Sequence, residues 1–196
     1  MKPLHTILVL HRGQNVSSFL KRIVHRTKSS TFIDEKCSTL SGFTLNRFNE
    51  LDIKQLKDRG FKTVFIDIDN TITYPGSGDF NDEAKKFVED IKKEGLLPVI
   101  FSNNTKQRVE SFVNGYDVEW HYLVMKPLPF AFIKYAKKYN CNTSECVVIG
   151  DQLMTDILGA NLSGCYGVYS KQLFEKDTPL TKINRFFERI IWRIIK

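Results

Sequence analysis

Val64-Phe65-Ile66-Asp67-Ile68-Asp69-Asn70-Thr71-Ile72-Thr73 is a β-branched, apolar run that ends in two carboxylates one residue apart. Its length and composition are those of a buried strand. A buried strand does not tolerate unpaired charge, so Asp67 and Asp69 belong at or beyond its C-terminal end. In an open parallel sheet that edge is where ligands bind. Two carboxylates this close repel, and a hard divalent cation with oxygen ligands relieves them. For Asp-x-Asp alone a solvated acidic turn is the alternative, so the rest of the chain has to decide.

Outward from this stretch, strands and helices alternate. Asp52 to Arg59 reads as a short helix that Gly60 stops, feeding a strand over Phe61–Ile68. Asn81 and Asp82 offer caps for a helix with Ala84, Phe87, Val88 and Ile91 inward, ending at Gly95. Leu96 to Phe101 is the next strand, although Pro98 argues against a central position. A helix with Val109, Phe112 and Val113 inward follows. Trp120 to Val124 reads as a third strand, and Pro129 suits the first turn of the next helix. Cys146 to Ile149, a helix over Thr155–Leu162, and Cys165 to Tyr169 complete the series. Short loops between such elements imply parallel strands with right-handed crossovers, hence an α/β, Rossmann-like three-layer sandwich.

With 42% apolar and 26% charged residues over 196 positions, the chain has the make-up of a soluble globular protein with one domain-sized core. No apolar run approaches transmembrane length. Cys37, Cys141, Cys146 and Cys165 form no Cys-x-x-Cys pair and no metal spacing with His5, His11, His25 or His121, so they read as free thiols in a reducing compartment. The net charge of +7 is uneven: six basic residues precede the first acidic one, Asp34, and a second basic cluster closes the chain. The ends therefore suit an anionic partner, either a phospholipid surface or nucleic acid. Val16, Phe19, Leu20, Ile23 and Val24 fall at helical spacing among basic residues, as in an organelle presequence, a surface helix or a tail.

Polar residues fall at successive strand ends. Asp67 with Asp69, then Ser102, Lys126 and Asp151 converge on one edge of a parallel sheet. Phosphoryl transfer needs this set. Asp67 is placed to attack phosphorus and form an aspartyl-phosphate. Asp69 is placed to protonate the leaving oxygen and then deprotonate water. The Ser102 hydroxyl, Asn103 in the following turn and the Lys126 ammonium supply donors for the phosphate dianion. Mg²⁺ fits between Asp67, the Asp69 main-chain carbonyl and Asp151, while Asp156 reaches the metal through water or orients Lys126. Taken singly, Ser102 is as readily a helix cap, Lys126 a surface charge and Asp156 a helix-start charge.

Asp67-x-Asp69-x-Thr71, Ser102, Lys126 and Gly150-Asp151-x-x-x-x-Asp156 resemble, in order, the four motifs of haloacid dehalogenase (HAD) superfamily phosphatases. Asp69-Asn70-Thr71, Ser102-Asn103-Asn104, Lys126-Pro127 and Gly150-Asp151-Gln152-Leu153-x-Thr155-Asp156 are similar to the YqeG-type, subfamily IIIA members, which are themselves similar to mitochondrial phosphatidylglycerophosphate phosphatases. The resemblance covers roughly residues 51–196. It implies a phosphomonoester substrate, Mg²⁺ as cofactor and a HAD-like domain over 51–180. Nothing of it carries over to the basic extension over 1–50, and charge and helical spacing set off a further helix over 181–196.

Between Thr73 and Phe87, and between Ser102 and Lys126, the chain is too short for a cap domain, so the site is expected to be open to large substrates. In the last segment Ile183, Phe186, Phe187, Ile190, Ile191 and Ile194 form one helical face. Lys182, Arg185, Arg189, Arg193 and Lys196 form a second, with Trp192 apart from the apolar face. Such a helix lies in a membrane interface or docks on the core. The favoured expectation is a phosphatidylglycerophosphate phosphatase at an anionic membrane surface. A phosphatase of a soluble metabolite, nucleotide or phosphoprotein, and a non-catalytic protein engaging nucleic acid or a ribosome, are the alternatives. The expected location is the cytoplasm or a membrane periphery, or the mitochondrion in a eukaryotic host.

Overall fold

A computed structural model describes residues 44–174 except Asp79. The N-terminal segment around Val16–Val24, Cys37 and the C-terminal amphipathic stretch lie outside the described residues.

Six parallel strands form one sheet in the order β1-β6-β5-β2-β3-β4. They are β1 (Thr44–Leu45), β2 (Thr63–Ile66), β3 (Leu97–Phe101), β4 (Glu119–His121), β5 (Cys146–Gly150) and β6 (Tyr166–Ser170). Helices α1 (Ile53–Asp58), α2 (Asp82–Lys93), α3 (Lys106–Val113), α4 (Pro129–Lys138) and α5 (Leu158–Ser163) lie between strands. Strand residues alternate between two cores, as a sheet covered on both faces requires. Val64, Ile66, Ile100, Val147 and Ile149 pack with Leu56, Phe87, Ile91 and Phe112 on one face. Phe65, Val99, Phe101 and Val148 pack with Phe132, Ala136 and Ala160 on the other. This is the expected three-layer α/β sandwich, and no cap domain interrupts it among the described residues.

Local chemistry sets the helix starts. The Asn81 side chain accepts from the Ala84 N–H at 2.9 Å, and Asp52 does the same for Gln55 at 2.9 Å. Thr105, not Ser102, caps α3 by accepting from the Arg108 N–H. Pro98 sits one residue ahead of the β4 ladder, which pairs only Val99 to Phe101, and so a proline fits inside this sheet.

Three expectations need correction. β1 pairs with β6, and Phe48 is fully buried, so sheet and core include residues ahead of 51. The expected strand through Val124 stops at His121, because Leu123 and Met125 adopt left-handed φ angles of 44° and 55°. The expected helix from Thr155 opens as a wide π turn over Leu153–Ile157 before α5. Cys141, Cys146 and Cys165 are free thiols, as expected.

Candidate active site

The ends of β2, β3 and β5 and the loop after β4 deliver the chemistry to one edge. The Asp67 N–H donates to the Ile149 carbonyl at 3.0 Å, the last ladder-type bond before the chain leaves the sheet. The chain then reverses through Asn70, whose φ is 63°, and an isolated bridge joins Asp69 to Thr73. Asn tolerates that left-handed step better than a branched residue would. Beyond β5, Gly150 is required by contact: a Cβ there would overlap the Asp156 side chain.

Lys126 is the hub of the site. Its buried Nζ donates to Asp67 Oδ1 at 2.6 Å and to the Phe101 carbonyl at 2.9 Å, and it lies 2.6 Å from Asp156 Oδ1. Burial opposes the charge on this lysine, yet Asp156 and Asp67 outweigh it and raise its pKa, so the ammonium persists. Burial, with Asp156 and Asp69 nearby, pushes the Asp67 carboxyl up to about 7 against the pull of Lys126. Asp151 accepts from Thr71 Oγ1 at 3.4 Å and from Gln172 Nε2 at 3.2 Å.

Asp67, Asp151 and Asp156 are all buried and offer one oxygen each within 4.8 Å of one another. Two of them, Asp67 and Asp156, share the buried Lys126 ammonium. Hard oxygen donors with surplus negative charge in a buried site are what a divalent cation requires, so the residues fit one. The Asp69 carboxylate stands apart from this trio. It accepts from Arg108 Nη2 at 2.8 Å and Asn104 Nδ2 at 2.6 Å, with the Gly76 N–H at 3.3 Å.

Ser102 is buried and its Oγ accepts from Asn104 Nδ2 at 2.9 Å and the Asn104 N–H at 3.2 Å. Asn103 spends its amide on Lys126: the Lys126 N–H donates to Oδ1 at 2.8 Å, and Nδ2 donates to the Lys126 carbonyl at 3.0 Å. All seven expected residues therefore gather at one edge, with Asn103 holding Lys126 rather than projecting toward a phosphate. Arg108 and Gln172 escaped the sequence reading, since each reaches the site from a different element. The only sequence signal for Arg108 is its place one turn into the helix that follows Ser102.

A family model described as mitochondrial PGP phosphatase matches residues 26–174. The chain belongs to that family. The chain is also 32% identical over 143 residues to the probable phosphatase YqeG of Bacillus subtilis, covering 73% of this chain and 83% of that one. It is 27% identical over 161 residues to phosphatidylglycerophosphate phosphatase 1, chloroplastic/mitochondrial, of Arabidopsis thaliana, covering 76% of this chain but 46% of that longer protein. A solved chain from Corynebacterium glutamicum is alike only at a TM-score of 0.43 and 23% identity over 69% of this chain and 96% of that one, so the fold assignment rests on the strand order above. The protein is thus a HAD-type phosphatase. Such phosphatases generally use a divalent metal, and a buried acidic trio of a kind that could hold one is present.

Proposed function

We propose that this PGP phosphatase family member hydrolyses the terminal phosphomonoester of phosphatidylglycerophosphate, with Mg²⁺ and a phosphorylated Asp67. The observation that carries this reading is the Lys126 ammonium shared at 2.6 Å by Asp67 and Asp156. It fixes one Asp67 oxygen and leaves the carboxylate oriented at the strand end. Asp67, Asp151 and Asp156 would hold Mg²⁺, which when bound offsets the repulsion between carboxylate and phosphate dianion.

In the first displacement an Asp67 oxygen bonds to phosphorus and the ester P–O bond breaks. Asp69, gripped by Arg108 and Asn104, passes its proton to the departing alcohol oxygen. Water then attacks phosphorus, gives a proton back to Asp69, and the bond to Asp67 breaks to release inorganic phosphate. Lys126 and the Ser102 hydroxyl lie where charge builds on the phosphoryl oxygens.

Support for a lipid substrate comes from the family and from the described residues, among which no cap domain interrupts the sandwich. Among the described residues no helix is long and apolar enough to cross a membrane. The test is phosphate release from p-nitrophenyl phosphate and from phosphatidylglycerophosphate in mixed micelles, with and without Mg²⁺, for wild type and Asp67→Asn. Metal-dependent release that vanishes in the variant, with preference for the lipid, is expected. Equal turnover of soluble esters would remove the lipid assignment.

A further inference from the structure

Six of the nine exposed large apolar side chains among the described residues fall between Tyr122 and Ile133, the stretch that carries Lys126. Met125 is 63% exposed and Phe130 is 73% exposed. Large apolar side chains exposed this densely in one stretch of chain point to an interaction surface. We propose that this face seats on an anionic phospholipid bilayer and presents the catalytic edge to the headgroup layer.

The backbone is bent to make this face. Leu123 and Met125 take left-handed φ angles, while Val124 and Lys126 between and after them are buried. A residue with a Cβ is disfavoured in that region. Here that conformation turns Leu123 and Met125 toward water while Val124 and Lys126 face inward. Leu123 and Met125 thus flank the hub lysine from outside while its ammonium points in.

Helix α4 extends the same surface. Phe130, Ile133, Lys134 and Lys137 stand at i, i+3, i+4 and i+7, all exposed, which places two apolar residues and two ammonium groups on one face. From Trp120 to Ser144 the chain carries four lysines and no acidic residue. Lys126 is buried against Asp67 and Asp156 and Lys138 pairs with Glu119, so Lys134 and Lys137 supply the charge of this face. That charge suits anionic headgroups and opposes an acid-free second copy of the same face, while lysine stems let the apolar bodies sit deeper than the charges. The surface borders the catalytic cluster directly, since the Leu123 N–H donates to the carbonyl of Asn104, which holds Asp69. Tyr74 and Phe174, exposed with ring centroids 6.0 Å apart, follow β2 and β6 at this edge of the sheet.

This inference rests on the lipid reading of the site and adds where the bilayer lies. The test is co-sedimentation of the full chain with vesicles of phosphatidylcholine, with and without phosphatidylglycerol. Wild type is compared with Phe130→Ser/Ile133→Ser and Lys134→Glu/Lys137→Glu. Partitioning onto the anionic vesicles is expected to fall at least about fivefold in each pair, the lysine pair mattering less at high salt. Hydrolysis of p-nitrophenyl phosphate is expected to be unchanged. Unaltered partitioning in both pairs overturns the proposal, as does a change of oligomeric state in lipid-free solution, which would make the face a contact between copies. Detergent-dispersed phosphatidylglycerophosphate separates the two ideas. Hydrolysis there with vesicle binding indifferent to the face removes only the surface; binding that depends on the face without hydrolysis supports the surface and removes the substrate.

Discussion

Asn103 grips Lys126 by its main chain rather than by its charge, accepting from the lysine N–H at 2.8 Å and donating to its carbonyl at 3.0 Å. The two strand-end loops are thereby locked together, and the ammonium is aimed between Asp67 and Asp156. Asn103→Ala should lower kcat by roughly 10- to 100-fold while leaving KM nearly unchanged, because a small misplacement of a catalytic charge acts on the transition state. Steady-state kinetics decides: a raised KM with kcat intact would mean that Asn103 binds phosphate instead.

Asp69 is held by Arg108 and Asn104, so both the acid and its holder should show in the leaving group. Asp69→Asn should slow an alkyl phosphate by about 10²- to 10⁴-fold but p-nitrophenyl phosphate far less, since nitrophenolate departs without a proton. Arg108→Ala should show the same bias at roughly tenfold. Equal losses on both esters would assign Arg108 to substrate binding and deny Asp69 the role of acid.

The strands were legible because each is an apolar run closed by a polar residue, and that same punctuation located Asp67, Ser102, Lys126 and Asp151. β1 was not, since two residues carry no period and their burial depends on pairing with β6 far along the chain. Trp120 to Val124 reads as a strand by composition, yet the left-handed Leu123 and Met125 end it, and nothing local in the sequence marks that step. Arg108 meets Asp69 across 39 residues, a contact that only the docking of α3 beside β2 creates.

Gly150 has no room for a side chain, because a Cβ would overlap Asp156. Gly150→Ala should therefore push Asp156 from Lys126 and cost about 1–3 kcal/mol of stability. Activity should fall by roughly 100-fold or more. Thermal melting alongside the assay checks both. A folded variant with wild-type turnover would show that Asp156 is dispensable.

His121 carries a pH dependence of its own. It stacks on Tyr135 at 3.6 Å and pairs through Nε2 with the Tyr139 oxygen at 2.7 Å, while that hydroxyl donates to Glu119. Burial, with Lys138 and Lys134 near, lowers its pKa from 6.5 to about 4. The unfolded chain then binds more protons between those values, so this contribution to stability is lost as pH falls through that window. Denaturation midpoints from pH 6.5 to 5 should drop more for wild type than for His121→Gln. Asp67 titrates in both proteins and cancels in the comparison. Parallel curves would mean that the ring is protonated as freely in the fold as outside it.

The acidic trio predicts opposite effects of one substitution with and without metal. Metal-free, Asp67, Asp151 and Asp156 crowd one another, and the Lys126 ammonium pairs with Asp67 and Asp156. Asp67→Asn removes one of the repelling charges while still offering Lys126 an acceptor. In chelator the variant should be the more stable protein, by about 1–3 kcal/mol, as a site built for function rather than stability requires. Mg²⁺ at about 100 times its dissociation constant should stabilise wild type by about 2.7 kcal/mol, and the variant by much less because a ligand is gone. The order of melting temperatures should therefore narrow or reverse on adding metal. If Mg²⁺ raised both proteins equally, Asp67 would not be one of its ligands, and the attack of Asp67 on phosphorus would have to proceed without a shared cation.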